Sequence, residues 1–223
     1  MSIVALVGQK GGSGKSTTAV ALAVEWNARG LRVLLVDADP QGSVRTWGDV
    51  AGAMGRPTPT VAALGTALHA NLPSLAVGFD RVVVDCPPRL GDVQRAALLV
   101  CDLAVLPCGP GTMDAWALAE SSDAVRTAQQ LRPDLRAVVL ITRKVARTSV
   151  GAGAREALAG AGLPVLSTEL GYRVTYQEAP AAGQGPTTYD PSSPAAEEVR
   201  ALATELDQLL RPSTSPRTRR SRK

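Results

Sequence analysis

The sequence predicts an α/β fold, in which a mostly parallel, twisted sheet carries helices on both faces. Short continuous apolar runs, typical of buried parallel strands, recur along the 223 residues. Segments with helical spacing of apolar residues separate these runs, and such alternation favours strand–helix–strand units. A glycine-rich loop joins the first apolar run to the first helical segment. These observations together predict one layered domain.

The first half of the chain contains three expected strands. An apolar run at 3–7 leads through the glycine-rich loop into a helix over 19–26. A second run at 33–36 and a third at 82–84 are each followed by acidic residues. The segment 38–79 is less regular, and we expect one or two short helices there.

The second half continues the alternation of strands and helices. The expected strands cover 103–107, 136–142 and 163–166, and the expected helices cover 92–101, 114–131, 150–161 and 195–210. The last helix has apolar residues at three- and four-residue spacing, which gives it one apolar face. We therefore expect an α/β domain over residues 1–210.

Composition excludes several classes of protein. With 45% apolar residues, the chain can form a substantial core. It opens on the first strand, without the cationic and apolar regions of a secretory signal, and no apolar run reaches 18 residues. The three cysteines are odd in number and lack metal-ligand spacing. We expect a cytoplasmic protein without a disulfide framework or a spanning helix.

The net positive charge comes from the C-terminal segment. Residues 211–223 carry six of the 24 basic residues and none of the 20 acidic ones, which leaves 18 basic against 20 acidic residues in 1–210. This basic tail has no large apolar side chain, so we expect it to be disordered. Its expected partner is a polyanion, first of all the phosphate backbone of nucleic acid. A solvated terminus without a partner is the alternative.

The glycine-rich loop has the composition of a phosphate-binding loop. Only four lysines occur in the chain, and Lys10 and Lys15 both lie in this loop. The pattern G-K-[ST], after a glycine-rich run and at the start of a helix, binds nucleotide phosphates. Glycines let successive backbone N–H groups turn inward, and the helix N-terminus adds partial positive charge.

Each residue of this loop has an expected role. We expect Lys15 to bridge the β- and γ-phosphates and the hydroxyl of Ser16 to ligate Mg²⁺. The remaining phosphate-binding residues of the loop are Gly11, Gly12, Ser13, Gly14 and Thr17. The first glycine of the usual pattern is replaced by Gln9, with Gly8 one position earlier. An ordinary glycine turn is the alternative.

Three acidic residues follow the second and third strands. Asp37 and Asp39 lie at the carboxyl end of one strand, where α/β sheets place ligands, and would share one side if the strand continued that far. Two such carboxylates suit a magnesium–water contact and a water-positioning role, whereas an Asx cap before Pro40 is the alternative. Asp85 ends the next apolar run and is expected to bind Mg²⁺ through water.

Three motifs resemble those of a known family. They read K-G-G-x-G-K-[ST] from Lys10, D-x-D-P-Q from Asp37 and D-C-P-P from Asp85. In these motifs the chain resembles the ParA/MinD family of deviant P-loop ATPases, and specifically its short type without an N-terminal DNA-reading domain. Softer matches at 106–116, 140–143 and 173–180 extend the resemblance over nearly the whole body.

The resemblance implies a P-loop NTPase that binds ATP with Mg²⁺ and forms a homodimer when ATP is bound. In this interpretation Lys10 reaches the partner's phosphates and Asp39 orients the attacking water. Asp37 supports the magnesium shell and Arg143 is a neighbour of the adenine, although a strand-end surface arginine is the alternative for Arg143. Residues 87–91 would form a switch segment that senses the γ-phosphate.

The sequence leaves three functions to compare. The first is a positioning ATPase, associated with the nucleoid through ATP-dependent, non-specific DNA binding and stimulated by a ParB-like or other cargo-adaptor protein. Its cargo would be a plasmid, a chromosome region or a protein compartment, with the basic tail and Arg173 as candidate DNA contacts. The second is a MinD-like membrane ATPase, which the polar tail disfavours. The third is an amide ligase, for which no substrate-carboxylate site is located in the sequence, or a redox relative, for which converging cysteines are missing.

Overall fold

A seven-stranded sheet forms the centre of the computed structural model, which describes residues 1–89 and 91–211. Its strands are β1 (Ser2–Leu6), β2 (Val33–Asp37), β3 (Thr60–Ala63), β4 (Arg81–Asp85), β5 (Leu103–Cys108), β6 (Arg136–Lys144) and β7 (Val165–Gly171). Their order is β3-β2-β4-β1-β5-β6-β7, and each neighbouring pair is parallel. The α/β class with a parallel sheet is therefore confirmed.

Helices cover both faces of this sheet. In chain order they are α1 (Lys15–Ala28), α2 (Ser43–Ala53), α3 (Leu68–Leu75), α4 (Asp92–Val100), α5 (Thr112–Leu131), α6 (Ser149–Ala159), α7 (Thr175–Ala181), α8 (Pro186–Tyr189) and α9 (Pro194–Leu210). Apolar residues of α3, α4, α5 and α6 belong to one core cluster, and those of α1, α2 and α9 belong to the other. Each face of the sheet thus has its own core.

The two cores follow from the alternation of side chains along each strand. In β1, Ile3 and Ala5 belong to one cluster, whereas Val4 and Leu6 belong to the other. Because successive side chains point to opposite faces, a strand covered on both sides must be apolar throughout. This explains why the strands are continuous apolar runs rather than alternating ones.

The segment 38–79 contains more regular structure than the sequence indicates. It contains α2 and α3, as expected, and also the edge strand β3, which pairs with β2. The side chains of β3 are exposed or half-buried, so its sequence lacks the apolar signal of the central strands. The predicted strand at 163–166 is also placed too early, because β7 runs from Val165 to Gly171. Most of the predicted basic tail, from 212 onward, lies outside the described residues.

The outer edge of β7 is occupied by side chains from two helices. Glu205 of α9 accepts hydrogen bonds from the N–H groups of Ser167 and Thr168, at 2.7 and 2.9 Å. Glu198 of α9 accepts from the N–H of Gly171 at 3.0 Å. Arg155 of α6 donates to the carbonyl oxygens of Val165 and Ser167. Buried or edge backbone groups need such partners, and here charged side chains supply them.

Candidate nucleotide site

The candidate site lies at the carboxyl end of β1, where the strand order reverses direction. β4 and β2 lie on one side of β1, and β5 and the later strands lie on the other. The loops that follow neighbouring strands diverge at such a point and leave a crevice, which is where open α/β sheets bind ligands. The glycine-rich loop, residues 8–14, enters this crevice directly from β1.

The backbone of the loop requires glycine at several positions. Gly12 and Gly14 have φ angles of 72° and 95°, in the left-handed region that other residues rarely adopt. Gly14 is also the residue before α1, so the loop delivers the chain directly into a helix N-terminus. The carbonyl of Ser13 accepts a hydrogen bond of 2.8 Å from the hydroxyl of Thr142 on β6. The loop is thus held by its connection to α1 and by the contact with Thr142 on β6. Its N–H groups are available for an anion.

Lys15 is buried at the bottom of this loop. Its side chain begins α1, only 6% of the residue is exposed, and its ammonium donates to the carbonyl of Lys10 at 3.2 Å. Burial lowers the pKa of Lys15, and the charge of Asp85 opposes that shift. A buried ammonium within a glycine-rich loop suits a phosphate contact, the role that the sequence predicts for Lys15.

Asp85 ends β4 next to Lys15 and carries an unpaired buried carboxyl group. The residue is fully buried, and neither carboxyl oxygen has a hydrogen-bond partner that meets normal geometry. Burial raises the pKa of Asp85 to about 7, the hydroxyl of Ser16 acts in the opposite direction, and Asp37 reinforces the rise. An unsatisfied buried carboxylate is costly, so this position indicates a site for a cation or its water shell.

The residues present fit a magnesium ion shared with a nucleotide. The described residues contain no group of three or more His, Cys, Asp or Glu side chains arranged to hold a metal. Mg²⁺ usually keeps several waters and is bound by one or two protein oxygens together with phosphates, so such a group is not needed. Asp85 and the hydroxyl of Ser16 are the protein oxygens that suit it here.

Asp37 is engaged differently from Asp85, although the two residues are register partners on neighbouring strands. One carboxyl oxygen of Asp37 accepts from the N–H of Asp39 at 3.1 Å, and the other accepts from the N–H of Arg45 at 2.8 Å. It therefore closes an Asx turn and also satisfies an N–H in the first turn of α2. Both carboxyl oxygens of Asp37 are therefore occupied by backbone N–H groups. A role of Asp37 in the magnesium shell stays a proposal, and the unpaired carboxyl group of Asp85 suits that role better.

Asp39 lies outside β2, which ends at Asp37, so the two carboxylates do not share a strand face as the alternation would require. Asp39 is half-buried, and one of its oxygens accepts from the N–H of Gln41 at 2.9 Å. It lies on a cleft of about 190 Å³ that Asp37 also lines. The position allows contact with a water molecule.

Lys10 belongs to a cluster that the sequence did not indicate. Its ammonium lies 2.8 Å from Oδ1 of Asp114, on the first turn of α5, and the guanidinium of Arg143 lies 3.2 Å from the same oxygen. A Cβ atom on Gly109 would come within 2.7 Å of side-chain atoms of both Arg143 and Asp114, so a larger residue there would have to displace them. Arg143 has a φ of 54°, which is uncommon for a residue other than glycine.

A second cleft, of about 210 Å³, opens beside the loop. Its lining includes Gly12, Thr17 and Arg143, and it also contains Tyr172 and Tyr176 from the segment after β7. A cleft with aromatic walls next to a phosphate-binding loop suits a planar base. Arg143 lines this cleft, and its role as a neighbour of the adenine stays a prediction.

The contacts of Arg173 change one sequence expectation, and the burial of the cysteines bears on the redox alternative. Arg173, a candidate DNA contact, donates to Glu198, with 2.6 Å between Nη2 and Oε1, so its charge is already compensated. The three cysteines are all buried, and burial raises the pKa of the thiols of Cys101 and Cys108 to about 12. Inert buried thiols do not suit a metal cluster at a dimer axis.

Comparison with known proteins identifies the family of this arrangement. The family model described as the CobQ/CobB/MinD/ParA nucleotide binding domain matches residues 4–187. The chain is 31% identical over 209 residues to the maintenance of carboxysome distribution protein A of Halothiobacillus neapolitanus, covering 93% of this chain and 94% of that protein. It is 30% identical over 247 residues to the sporulation initiation inhibitor protein Soj of Bacillus subtilis, covering 92% and 97%.

Solved structures with the same fold include nucleotide complexes. An ATP complex of McdA from Cyanothece has a TM-score of 0.76 at 16% identity and covers 96% of this chain and 99% of that one. MinD from Pyrococcus horikoshii with Mg-ADP has a TM-score of 0.73 at 21% identity, covering 93% and 96%. The expectation of ATP and Mg²⁺ agrees with these complexes. The chain belongs to the CobQ/CobB/MinD/ParA nucleotide-binding family, with the P-loop NTPase fold of its ParA and MinD members.

Proposed function

We propose that this protein is an ATPase that positions a large cargo inside the cell by ATP-dependent dimerisation. The observation that carries the proposal is the buried Lys15 at the start of α1, with the unpaired Asp85 beside it. The similarity to a carboxysome distribution protein and to Soj, over more than nine-tenths of this chain, supports a positioning role. A protein compartment or a chromosome region is the corresponding class of cargo.

The residues of the crevice divide the work of ATP hydrolysis. The loop N–H groups and Lys15 hold the phosphates, and Asp85 with Ser16 holds the ion. Mg²⁺, when bound, neutralises charge on the phosphate oxygens. Asp39, half-buried at the same edge of the sheet, orients the attacking water. Most of the rate acceleration in such a site comes from positioning and electrostatics rather than from covalent chemistry.

Dimerisation depends on Lys10 in this proposal. The Lys10 side chain is 40% exposed at the mouth of the loop, whereas Lys15 is buried. An exposed ammonium at this position can reach a phosphate bound by a second copy of the chain. ATP occupancy and dimerisation are then linked, because the dimer contact includes the nucleotide itself.

The dimer binds DNA without sequence preference and so associates with the nucleoid. Arginine contacts to phosphates would supply the affinity, so binding should weaken steeply with salt. With Arg173 paired to Glu198, the basic tail at 211–223 is the candidate that remains. A ParB-like or other cargo-adaptor protein stimulates hydrolysis and releases the dimer from DNA.

A membrane-associated function of the MinD type is the alternative. Among residues 1–89 and 91–211, no helix is long and apolar enough to cross a bilayer. α9 has an apolar face, but Val199, Leu202 and Leu206 on that face are buried in the core. An amphipathic helix can bind a membrane only with apolar area to bury in it. The apolar face of α9 is therefore not available for binding a membrane.

Sedimentation with duplex DNA or anionic liposomes separates these functions. The purified chain is mixed with each under ATP, ADP or no nucleotide, at low and moderate salt. We expect the protein to pellet with DNA when ATP is present and not with ADP or without nucleotide. This binding should be lost at moderate salt. Pelleting with liposomes and not with DNA would refute the proposal in favour of the membrane function.

The variant Asp39→Ala tests the hydrolytic step in the same assay. It should keep ATP-dependent pelleting with DNA and lose most of its turnover, about 100-fold if Asp39 alone positions the water. Phosphate release is the measurement. Normal phosphate release by Asp39→Ala would show that another residue orients the water.

A further inference from the structure

A buried glutamine connects the phosphate-binding loop to the segment that follows Asp85. Gln94 lies in the first turn of α4 and is fully buried. Its Oε1 accepts from the N–H of Gly8 at 3.3 Å, and its Nε2 donates to the carbonyl of Gly8 at 3.1 Å. The same Nε2 donates to the carbonyl of Pro87 at 2.5 Å. One amide thus contacts two separate backbone segments.

The pattern differs from that of other buried polar side chains nearby. The hydroxyl of Ser122, also fully buried, donates to the carbonyl of Leu118 in its own helix. That contact satisfies a buried polar group and nothing more. Gln94 instead engages both the N–H and the C=O of one peptide at the loop entry, and then a third group across the crevice. Ordering so long a side chain costs rotamer entropy, which a leucine at this position would reduce.

A second contact joins the same two segments. The N–H of Arg89 donates to the carbonyl of Gln9 at 3.0 Å. Arg89 has a φ of 76°, which is rare for a side-chain-bearing residue and persists only when its surroundings hold it. Residues 86–89 are therefore tied to residues 8–9 at two points, and a displacement of one segment must break these bonds or move the other.

We infer that Gln94 is a positioning residue that couples the phosphate-binding loop to residues 86–89, so that occupation of the loop is transmitted to the segment after Asp85. The inference rests on the proposed function, because the signal it transmits is the bound nucleotide. Gln94 does not touch the nucleotide. It acts through the backbone of Gly8 on one side and of Pro87 on the other.

Hydrogen exchange resolved by segment tests the coupling. The variant Gln94→Met keeps side-chain volume and removes all three hydrogen bonds. Gln129→Met is the matched control, since Gln129 donates a single bond to the carbonyl of Leu135 at the far end of α5. Each protein is measured without nucleotide, with Mg·ADP and with the slowly hydrolysed Mg·ATPγS, at saturating concentrations.

In the wild-type protein and in Gln129→Met, we expect Mg·ATPγS to slow exchange in residues 8–15 and at the N–H groups of Cys86 and Arg89, since Pro87 and Pro88 have no N–H. In Gln94→Met, exchange should slow at 8–15, while the response of the Cys86 and Arg89 N–H groups falls at least threefold. ATP turnover should fall about tenfold, with the KM for ATP changed by less than about threefold, because binding is kept and its transmission is lost. Gln94→Asn retains the amide but is too short to reach both segments, so it should show the same separation with less loss of stability.

The opposite results have distinct meanings. If both segments of Gln94→Met and Gln94→Asn still respond together, Gln94 is a structural residue and the inference is wrong while the proposed function stands. Loss of nucleotide binding in step with turnover would also reduce Gln94 to a structural role. If nucleotide changes exchange in neither segment of the wild-type protein, the proposed function fails, and the inference fails with it.

Discussion

The floor and the rim of the phosphate-binding loop contain similar charges in different environments. The floor consists of Lys15, Ser16 and Asp85, where the lysine and the carboxylate are buried and the carboxyl oxygens have no hydrogen-bond partner. The rim consists of Lys10, Asp114 and Arg143, where Asp114 pairs with both cations and Lys10 is 40% exposed. The floor thus suits a ligand held within one chain, whereas the rim can exchange its contacts with another molecule.

The floor and the rim differ in the free-energy cost of having no ligand bound. Buried unpaired charges cost free energy until a ligand compensates them, so the floor favours binding. At the rim the Lys10 side chain is partly exposed, and the buried Asp114 keeps Arg143 as a partner if Lys10 turns to another molecule. The two lysines, five positions apart, can therefore have two different roles.

The largest expected effect comes from removing the floor lysine. Lys15→Met should weaken Mg·ATP binding by about 10- to 100-fold, because a charge-assisted contact contributes about 1.5–3 kcal/mol. Titration with a fluorescent ATP analogue measures this affinity. Lys144→Met is the matched control, since Lys144 pairs with Glu169 outside the loop. Equal affinities for Lys15→Met and the control would remove the distinction between floor and rim.

A smaller and different effect is expected at the rim. Lys10→Met should bind Mg·ATP within about threefold of the wild-type affinity and yet lose ATP-induced dimerisation by at least about tenfold. Light scattering under ATP and under ADP measures the dimer. An ATP-induced dimer of normal stability would contradict the action of Lys10 across the dimer, whereas a large loss of nucleotide affinity would assign Lys10 to the floor.

The smallest expected effect is a pH dependence of stability that originates in the floor. The pKa of Asp85 is raised to about 7, so between its ordinary value and 7 the folded chain retains a proton that the unfolded chain has released. The nucleotide-free protein should therefore lose stability as pH rises through this window, by at most about 1.4 kcal/mol per pH unit. Each kcal/mol corresponds to about 2–4 °C in Tm.

Asp85→Asn provides the comparison for this effect, because an amide does not titrate. Thermal melting at pH 5.5 and 8 without nucleotide should show a gain in relative stability of Asp85→Asn at the higher pH. Saturating Mg·ATP should reduce the pH dependence of the wild-type protein, since a cation compensates the ionised carboxylate. A difference between the two proteins that stays constant from pH 5.5 to 8 would show that Asp85 does not titrate in this range.

Sequence alone predicts the fold and the floor, because both depend on local patterns. The central strands are apolar on both faces, and Lys15 and Ser16 follow a glycine run that starts a helix. β3 was missed because its side chains at the sheet edge are not buried. α7 and α8 were missed because they are short, with seven and four residues, and too brief to show a period.

The rim and the coupling residue could not be read from the sequence. Asp114 and Lys10 are 104 positions apart, and Gln94 and Gly8 are 86 apart, so only the folded chain brings each pair together. Gly109, directly after β5, is visible as a glycine in the sequence. The reason for a small residue there becomes clear only when Arg143 is placed beside it from β6. The hydrogen bond from the N–H of Arg45 to the carboxylate of Asp37 is likewise apparent only once α2 is placed.

The charged side chains along β7 have a consequence for how copies of this protein can assemble. Glu205, Glu198 and Arg155 already occupy N–H and C=O groups that an additional strand would need. Growth of the sheet into a continuous fibre through this edge would first have to displace carboxylates and a guanidinium from their hydrogen bonds. The β7 edge of each copy is thereby protected from adding a strand of another copy.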